Sequence, residues 1–307
     1  MSIPAAESPA EAVSTPVDGV EVLGALSPSR AGDFMACPLM YRFRTIDRLP
    51  EAPSPDAVRG TVVHKVLEDL FDLPALERTP ERAADMLDPA WDALLEAEPA
   101  LGEMFGGEGP DVVTWMASCR TVLQRYFDLE DPRRLEPAER ELYVEALLDS
   151  RLLLRGFVDR VDVAPDGRIR VVDYKTGRSP GVDHEAKALF QMKFYALVIW
   201  RLRGVVPSVL QLVYLGNGEI LRYEPDEDDL RATERKVEAL WTAIQLARES
   251  GDWRPRPSRL CDWCSFHPYC PTKGGTVPPL PDRTPPVADA SVDESADCGG
   301  AAAQGAM

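Results

Sequence analysis

The chain is short of positive charge: 34 Lys and Arg face 51 Asp and Glu over 307 residues, a formal net charge of −17. A surface of that sign argues against strong nonspecific binding of duplex nucleic acid. The deficit is unevenly spread. Residues 1–26 carry no basic and 4 acidic side chains, residues 68–111 carry 2 and 13, and residues 278–307 carry 1 and 5. The remainder holds 31 basic and 29 acidic side chains, so a basic groove stays compatible with the acidic whole.

Other absences narrow the class further. No run approaches the roughly 18 consecutive apolar residues of a membrane span, and the N-terminus lacks the basic-then-apolar order of a secretion signal. The expectation is a cytoplasmic chain with no membrane partner. No Gly-x4-Gly-Lys-Ser/Thr phosphate loop occurs, so no nucleotide-driven motor is recognisable, and no internal repeat is evident. Six cysteines in such a chain read as ligands or core residues before disulfides.

Residues 1–24 and 274–307 are poor in apolar side chains and read as disordered tails around a single domain, 25–273. Ser27-Pro28 suits a helix start, with Phe34, Cys37 and Tyr41 on or near that helix. Val62, Val63, Val66, Leu67, Leu70 and Phe71 give an apolar stripe for a helix over about 56–73, with His64 early on it. An acidic helical stretch at about 80–98, a Gly-rich loop at 106–109 and a helix over about 112–127 suggest a helical insertion or lid, about 74–130. From Arg140 the period becomes that of strands: 142–144, 152–163 and 168–175, with the turn Pro165-Asp-Gly167. A helix over about 184–202, strands at 209–215 and 220–223, and a helix over about 227–248 follow. The fold class is therefore α/β.

The chemistry concentrates in four segments. In Val171-Val-Asp-Tyr-Lys-Thr-Gly177, Asp173 and Lys175 lie two apart on a strand and share a face, placing a carboxylate beside an ammonium. Gly156-Phe-Val-Asp-Arg-Val-Asp162 places Asp159 mid-strand; two such carboxylates on adjacent strands can hold one divalent ion, and a structural ion pair with Arg160 is the alternative. Gln191 and Tyr195 lie four apart, on one helix face. Gly60-Thr-Val-Val-His64, followed by Leu67-Glu68, offers an imidazole from another helix, or a structural histidine.

The ordered set Gly-x3-His-x2-Leu-Glu, Gly-x2-Asp-Arg-x-Asp, Asp-Tyr-Lys-Thr-Gly and Gln-x3-Tyr resembles the RecB-type branch of the PD-(D/E)xK nuclease superfamily, from about Leu26 to Cys270. The resemblance implies a restriction-endonuclease-like central mixed sheet flanked by helices. It implies that His64, Asp159 and Asp173 bind a catalytic Mg2+ or Mn2+, with the Tyr174 carbonyl a further ligand. Lys175 would orient or activate the attacking water, and Gln191 with Tyr195 would support the site. A Glu on the preceding strand is common in the family; Glu141 is the nearest match, with Glu139 and Glu145 competing.

Cys261-Asp-Trp-Cys264 and Cys270 form a C-x2-C-x5-C run that needs a fourth ligand to close a 4Fe-4S or zinc site, and His267 is an alternative to a distant cysteine. RecB-like nucleases of the AddB and CRISPR-associated kind carry an iron-sulfur cluster with one N-terminal and three C-terminal cysteines. Cys37, Cys261, Cys264 and Cys270 resemble that layout, which implies a C-terminal cluster-binding segment, about 255–273. Cys119 reads as a core residue. Trp263, Phe266 and Tyr269 are read as packing around the cysteines, with stacking on nucleic-acid bases as the alternative. The resulting expectation is a metal-dependent DNA exonuclease acting on single strands or ends in repair or recombination, alone or with a separate helicase subunit. A catalytically quiet DNA-binding scaffold is the alternative.

Overall fold

Strand alternation between Glu139 and Lys175 builds an antiparallel meander, and the rest of the molecule is laid against its two faces. The computed structural model describes residues 22–105, 109, 111–179 and 182–281, without the side chains of 182–187. Six strands form one mixed sheet: β1 (Gly24–Leu26), β2 (Glu139–Leu147), β3 (Leu152–Val163), β4 (Ile169–Lys175), β5 (Val209–Tyr214) and β6 (Glu219–Tyr223). β2 runs antiparallel along β3 from Glu139↔Val161 to Leu147↔Leu153. The other edge of β3 is shared: β1 pairs in parallel at Leu152–Leu154, and β4 pairs antiparallel at Arg160–Val163. Between those stretches, residues 155–159 of β3 have no strand neighbour on that edge, leaving a notch in the sheet. β4 continues in parallel to β5, and β5 turns antiparallel into β6.

Both faces of β4 and β5 are buried, which explains their nearly continuous apolar sequences. Ile169, Val171, Leu210 and Leu212 face a core built with α1 (Pro28–Ala36), α7 (Val182–Arg203) and α8 (Glu227–Ser250). Val172, Tyr174 and Val213 face a second core, built with α3 (Pro55–Leu70), α4 (Pro80–Asp85), α5 (Leu87–Ala97) and α6 (Val112–Leu129). Between α1 and α3 lie a single turn, α2 (Pro38–Tyr41), and a π-turn at Arg42–Ile46.

Three expectations change. The segment expected as an insertion or lid supplies Ala83, Leu87, Trp91, Trp115, Cys119 and Leu123 to the second core, so it is a structural layer of the sheet. Its acidic character is the solvent side of amphipathic helices. The N-terminal boundary moves, because Gly24 is in β1 and the amide of Leu23 donates to the Arg151 carbonyl at 3.0 Å. The C-terminal boundary moves too: Val277 packs on the first core, and Arg42 donates to the Pro278 carbonyl at 2.5 Å. The remainder of both expected tails, with Cys298, and all of the Gly-rich loop except Gly109 lie outside the described residues.

Candidate active site

The site forms where β3 and β4 part at the notch. Beyond the Arg160↔Val172 pair, the Tyr174 amide donates to the Asp159 Oδ2 at 2.6 Å rather than to a ladder carbonyl. A side chain thus replaces a strand partner, and Asp159 is held in the opening. Across β3 on the β2 side, Glu141 has φ +42°, a left-handed conformation uncommon for a side chain other than Gly or Asn. Backbone strain of this kind concentrates at functional positions. Here it accompanies delivery of the carboxylate: ligand atoms of Glu141, Asp159 and His64 lie within 4.8 Å of one another, the single such group of three among the described residues. Glu139 and Glu145 are not part of it.

His64 comes from α3. Its Nε2 lies 3.0 Å from the Tyr174 carbonyl oxygen, and its Nδ1 lies 3.6 Å from the Asp159 Oδ2. From β4, Asp173 is buried and Lys175 approaches its Oδ2 at 2.6 Å. That contact is an ion pair without hydrogen-bond alignment, so Oδ2 is a buried oxygen lacking a well-directed donor. Gln191 on α7 ties the pair together, accepting from Lys175 Nζ at 3.1 Å and donating to Asp173 Oδ1 at 3.2 Å. The Tyr195 hydroxyl is 3.4 Å from Gln191 Nε2. Gly156 explains how α7 comes so close, since a Cβ there would sit 2.9 Å from the Tyr195 ring and 3.4 Å from Pro28.

Electrostatics mark the cluster as overloaded with negative charge. Burial, then Asp159, pushes the Glu141 carboxyl up to about 7. Burial pushes Asp173 up to about 6 against the opposing pull of Lys175, with Asp159 adding to the rise. Burial alone would lower Lys175, but Asp173 and Asp159 outweigh it and hold the ammonium above its usual value. Like-charged carboxylates sharing a desolvated site behave this way. A divalent cation held by Glu141, Asp159 and His64 would relieve the crowding, so that donor set fits such an ion; Asp173, expected as a ligand, lies outside this group of three as placed.

Arg160 does not pair with Asp159. It turns to the other face and is gripped bidentately by Glu130, Nη1 to Oε2 at 2.8 Å and Nη2 to Oε1 at 3.0 Å. It also donates to the Tyr174 hydroxyl. Burial would raise the Glu130 carboxyl, yet Arg160 and Gln211 hold it below its ordinary range. Glu130, at the end of α6, went unnoticed in the sequence because its partner lies 30 residues away and no motif contains it. Its effect reaches the site through Tyr174, whose neighbours on β4 are Asp173 and Lys175.

A groove of about 620 Å3 opens over His64, Tyr174, Lys175 and Gln191, bounded by Pro28, Ser29, Gly32, Asp33 and Arg178. Asp33 also borders a second cavity of about 250 Å3, where Cys37, Cys261, Cys264 and Cys270 meet. Backbone amides of Arg256 and Ser258 donate to the sulfurs of Cys37 and Cys261 at 3.4 and 3.3 Å. The His267 Nε2 is engaged with the Cys261 carbonyl at 2.5 Å, away from a sulfur-ligand role. Trp263 is 78% exposed, whereas Phe266 is buried against Phe43.

Comparison with known proteins agrees with this architecture. The Gene 69 protein of Mycobacterium phage D29 is 26% identical over 273 residues, covering 80% of this chain and 96% of that protein. The Gene 69 protein of Mycobacterium phage L5 is 24% identical over 286 residues, covering 80% and 95%. A crystal structure of a protein from Eubacterium rectale, provisionally named an exonuclease, has a TM-score of 0.51 at 14% identity, covering 78% of this chain and 86% of that one, a likeness of fold. The family profile described as the PD-(D/E)XK nuclease superfamily matches residues 25–271, from the first strand through the last of the four cavity cysteines, and the chain belongs to that superfamily.

Proposed function

We propose that the chain is a divalent-metal-dependent DNA exonuclease, acting in the cytoplasm on single strands or frayed ends during repair or recombination. The observation that carries the reading is convergence: α3, β2, β3, β4 and α7 each send a polar group to one notch, where the buried Asp173 and the half-buried Glu141 and Asp159 face an ammonium. His64, Glu141, Asp159, Asp173 and the Tyr174 carbonyl would hold Mg2+ or Mn2+, and the imidazole among oxygen donors suits Mn2+. The bound ion supplies Lewis-acid polarisation of the scissile phosphate and relief of charge at the leaving oxygen.

The protein's own groups do the positioning. Lys175 keeps its proton, so its role is to donate to the attacking water or to a phosphate oxygen and fix the line of attack. Gln191 limits the ammonium to one position by accepting from it while holding Asp173 on its other side. Tyr195, packed over Gly156, fixes Gln191 in turn. The Glu130–Arg160–Tyr174 chain buttresses β4 from behind.

The four cysteines would hold a 4Fe-4S cluster, as in the AddB-like branch. A single zinc would need sulfurs about 3.8 Å apart, from Zn–S bonds of ~2.3 Å. Among the described residues no three of these sulfurs fall within 4.8 Å of one another, so the thiols as placed do not close a single-zinc site. Amide donors on two sulfurs suit ligating thiolates. Having no phosphate loop, the chain would work alone or beside a separate helicase.

Cleavage of end-labelled single-stranded DNA with Mn2+ or Mg2+, comparing wild type with Lys175→Ala, tests the reading. Metal-dependent shortening lost in the variant supports it. If neither protein cuts and both bind the strand, the chain is a scaffold. Iron and acid-labile sulfide analysis tests the cluster, and stoichiometric zinc without sulfide refutes it.

A further inference from the structure

Tyr143 and Phe157 are the one ring pair among the described residues in which both side chains are large, exposed and in contact: they are 45% and 40% exposed, with centroids 5.2 Å apart. They are direct partners across β2 and β3. Tyr143 lies two residues from Glu141, and Phe157 two residues from Asp159, a step of about 7 Å along each strand. Gly156 faces α7 and Pro28, so Phe157 projects from the opposite side of the strand. The Tyr143 hydroxyl donates to Glu145 Oε2 at 2.6 Å, which fixes the ring in place before any ligand arrives.

A cross-strand aromatic pair by itself stabilises a strand edge. Three further features single out this one. It adjoins the candidate metal ligands on both strands at once. Arg155, two residues from Phe157, stands opposite Glu145. Arg30 lies near enough to Arg155 and Arg48 that burial, together with those like charges, holds its guanidinium below its usual value. On a chain of net charge −17, Arg155 sets a cation two residues from Phe157, with Arg30 of α1 near it, where the charge of a polyanion would be favoured. Two rings present about the area of one base, too little for a stable protein interface.

We propose that Tyr143 and Phe157, flanked by Arg155, form a stacking platform for one unpaired base of the substrate strand, just outside the carboxylate cluster. This rests on the nuclease reading and deepens it: the base nearest the cut must leave its duplex partner to reach the rings, so the substrate is single-stranded there. Stacking is tolerant of base identity, because every base has a π-face.

The test uses the full-length protein on a Lys175→Ala background, so the strand survives, with a fluorescein-labelled single-stranded oligodeoxynucleotide. Phe157→Leu keeps an apolar side chain but loses the ring, and Phe157→Trp keeps a ring of larger area. The expected result is binding weakened about tenfold by Phe157→Leu and retained by Phe157→Trp, with thermal midpoints unchanged. In the Lys175-intact protein, Phe157→Leu should raise KM while leaving kcat near wild type. A purely structural pair predicts the reverse order, with Leu tolerated and Trp destabilising, and that result overturns the proposal. So does unchanged binding by Phe157→Leu, including the case in which the variant instead abolishes self-association of the wild type. If the Lys175→Ala parent binds no strand while the wild type neither binds nor cuts, the nuclease reading itself fails and takes the platform with it.

Discussion

Replacing Asp173 with Asn should stabilise the metal-free protein while destroying its response to metal. Asp173 is 2% exposed, and its carboxyl is pushed from 3.8 up to about 6. A shift of about two units corresponds to about 3 kcal/mol of unfavourable ionisation in the folded state, at about 1.4 kcal/mol per unit. That is a ceiling, because Lys175 also loses its partner and keeps only Gln191 and the charge of Asp159. The sign follows from linkage. A carboxyl whose folded pKa is raised contributes its stability fully below the unfolded value near 4, and loses it as pH rises through the folded value near 6. Asp173→Asn should therefore raise the thermal midpoint at pH 8 by several degrees, at about 2–4 °C per kcal/mol for a domain of this size, and change it little at pH 4. Added Mn2+ should raise the wild-type midpoint at pH 8 and leave the variant nearly unmoved. Thermal unfolding of both proteins at the two pH values, with and without Mn2+, provides the measurement. A metal-free variant less stable than wild type at pH 8, or one that keeps the full Mn2+ shift, refutes the reasoning.

Cleavage should rise through pH 6 to 7 as Asp173 and Glu141 ionise and metal binding strengthens; a flat kcat/KM from pH 5 to 8 would contradict those shifts. Lys175→Ala should abolish turnover yet retain Mn2+ binding by calorimetry, whereas loss of both would make the lysine a structural group. Glu130→Gln should cost about 3 kcal/mol in denaturant unfolding, the low end for a broken buried pair because Asp162 still faces Arg160 Nε at 3.1 Å, and a further Arg160→Met change should restore much of it. Cys261→Ser should lose iron and sulfide together while the far-ultraviolet circular dichroism stays near wild type.

The sequence made the meander and the acidic-lysine strand legible because both-face burial leaves apolar runs interrupted at Asp159 and Asp173. Gln191 and Tyr195 share a face through helical spacing, whereas His64 was named through the family resemblance, and the structure brings all three to the notch. Glu141 was named over Glu139 and Glu145 only through the family resemblance, because simple alternation gives 139, 141 and 145 equal standing. The positive φ that separates them is a tertiary feature. β1 escaped notice because three residues show no period, and the layer from α4 to α6 was read as a lid because its charge hides how much of it is buried. Glu130 and Arg160 meet through the fold alone.

The notch in β3 also has a kinetic meaning. Residues 155–159 lack ladder bonds on one edge, and the Tyr174 amide depends on a carboxylate, so protection from solvent exchange there is set by side chains instead of by the sheet. Amides flanking the opening should exchange with deuterium sooner than those of β4 and β5 a few residues away. They should slow once an occupant pins Asp159, so isotope uptake at this one strand becomes a direct clock of how often the protein stands ready for its substrate.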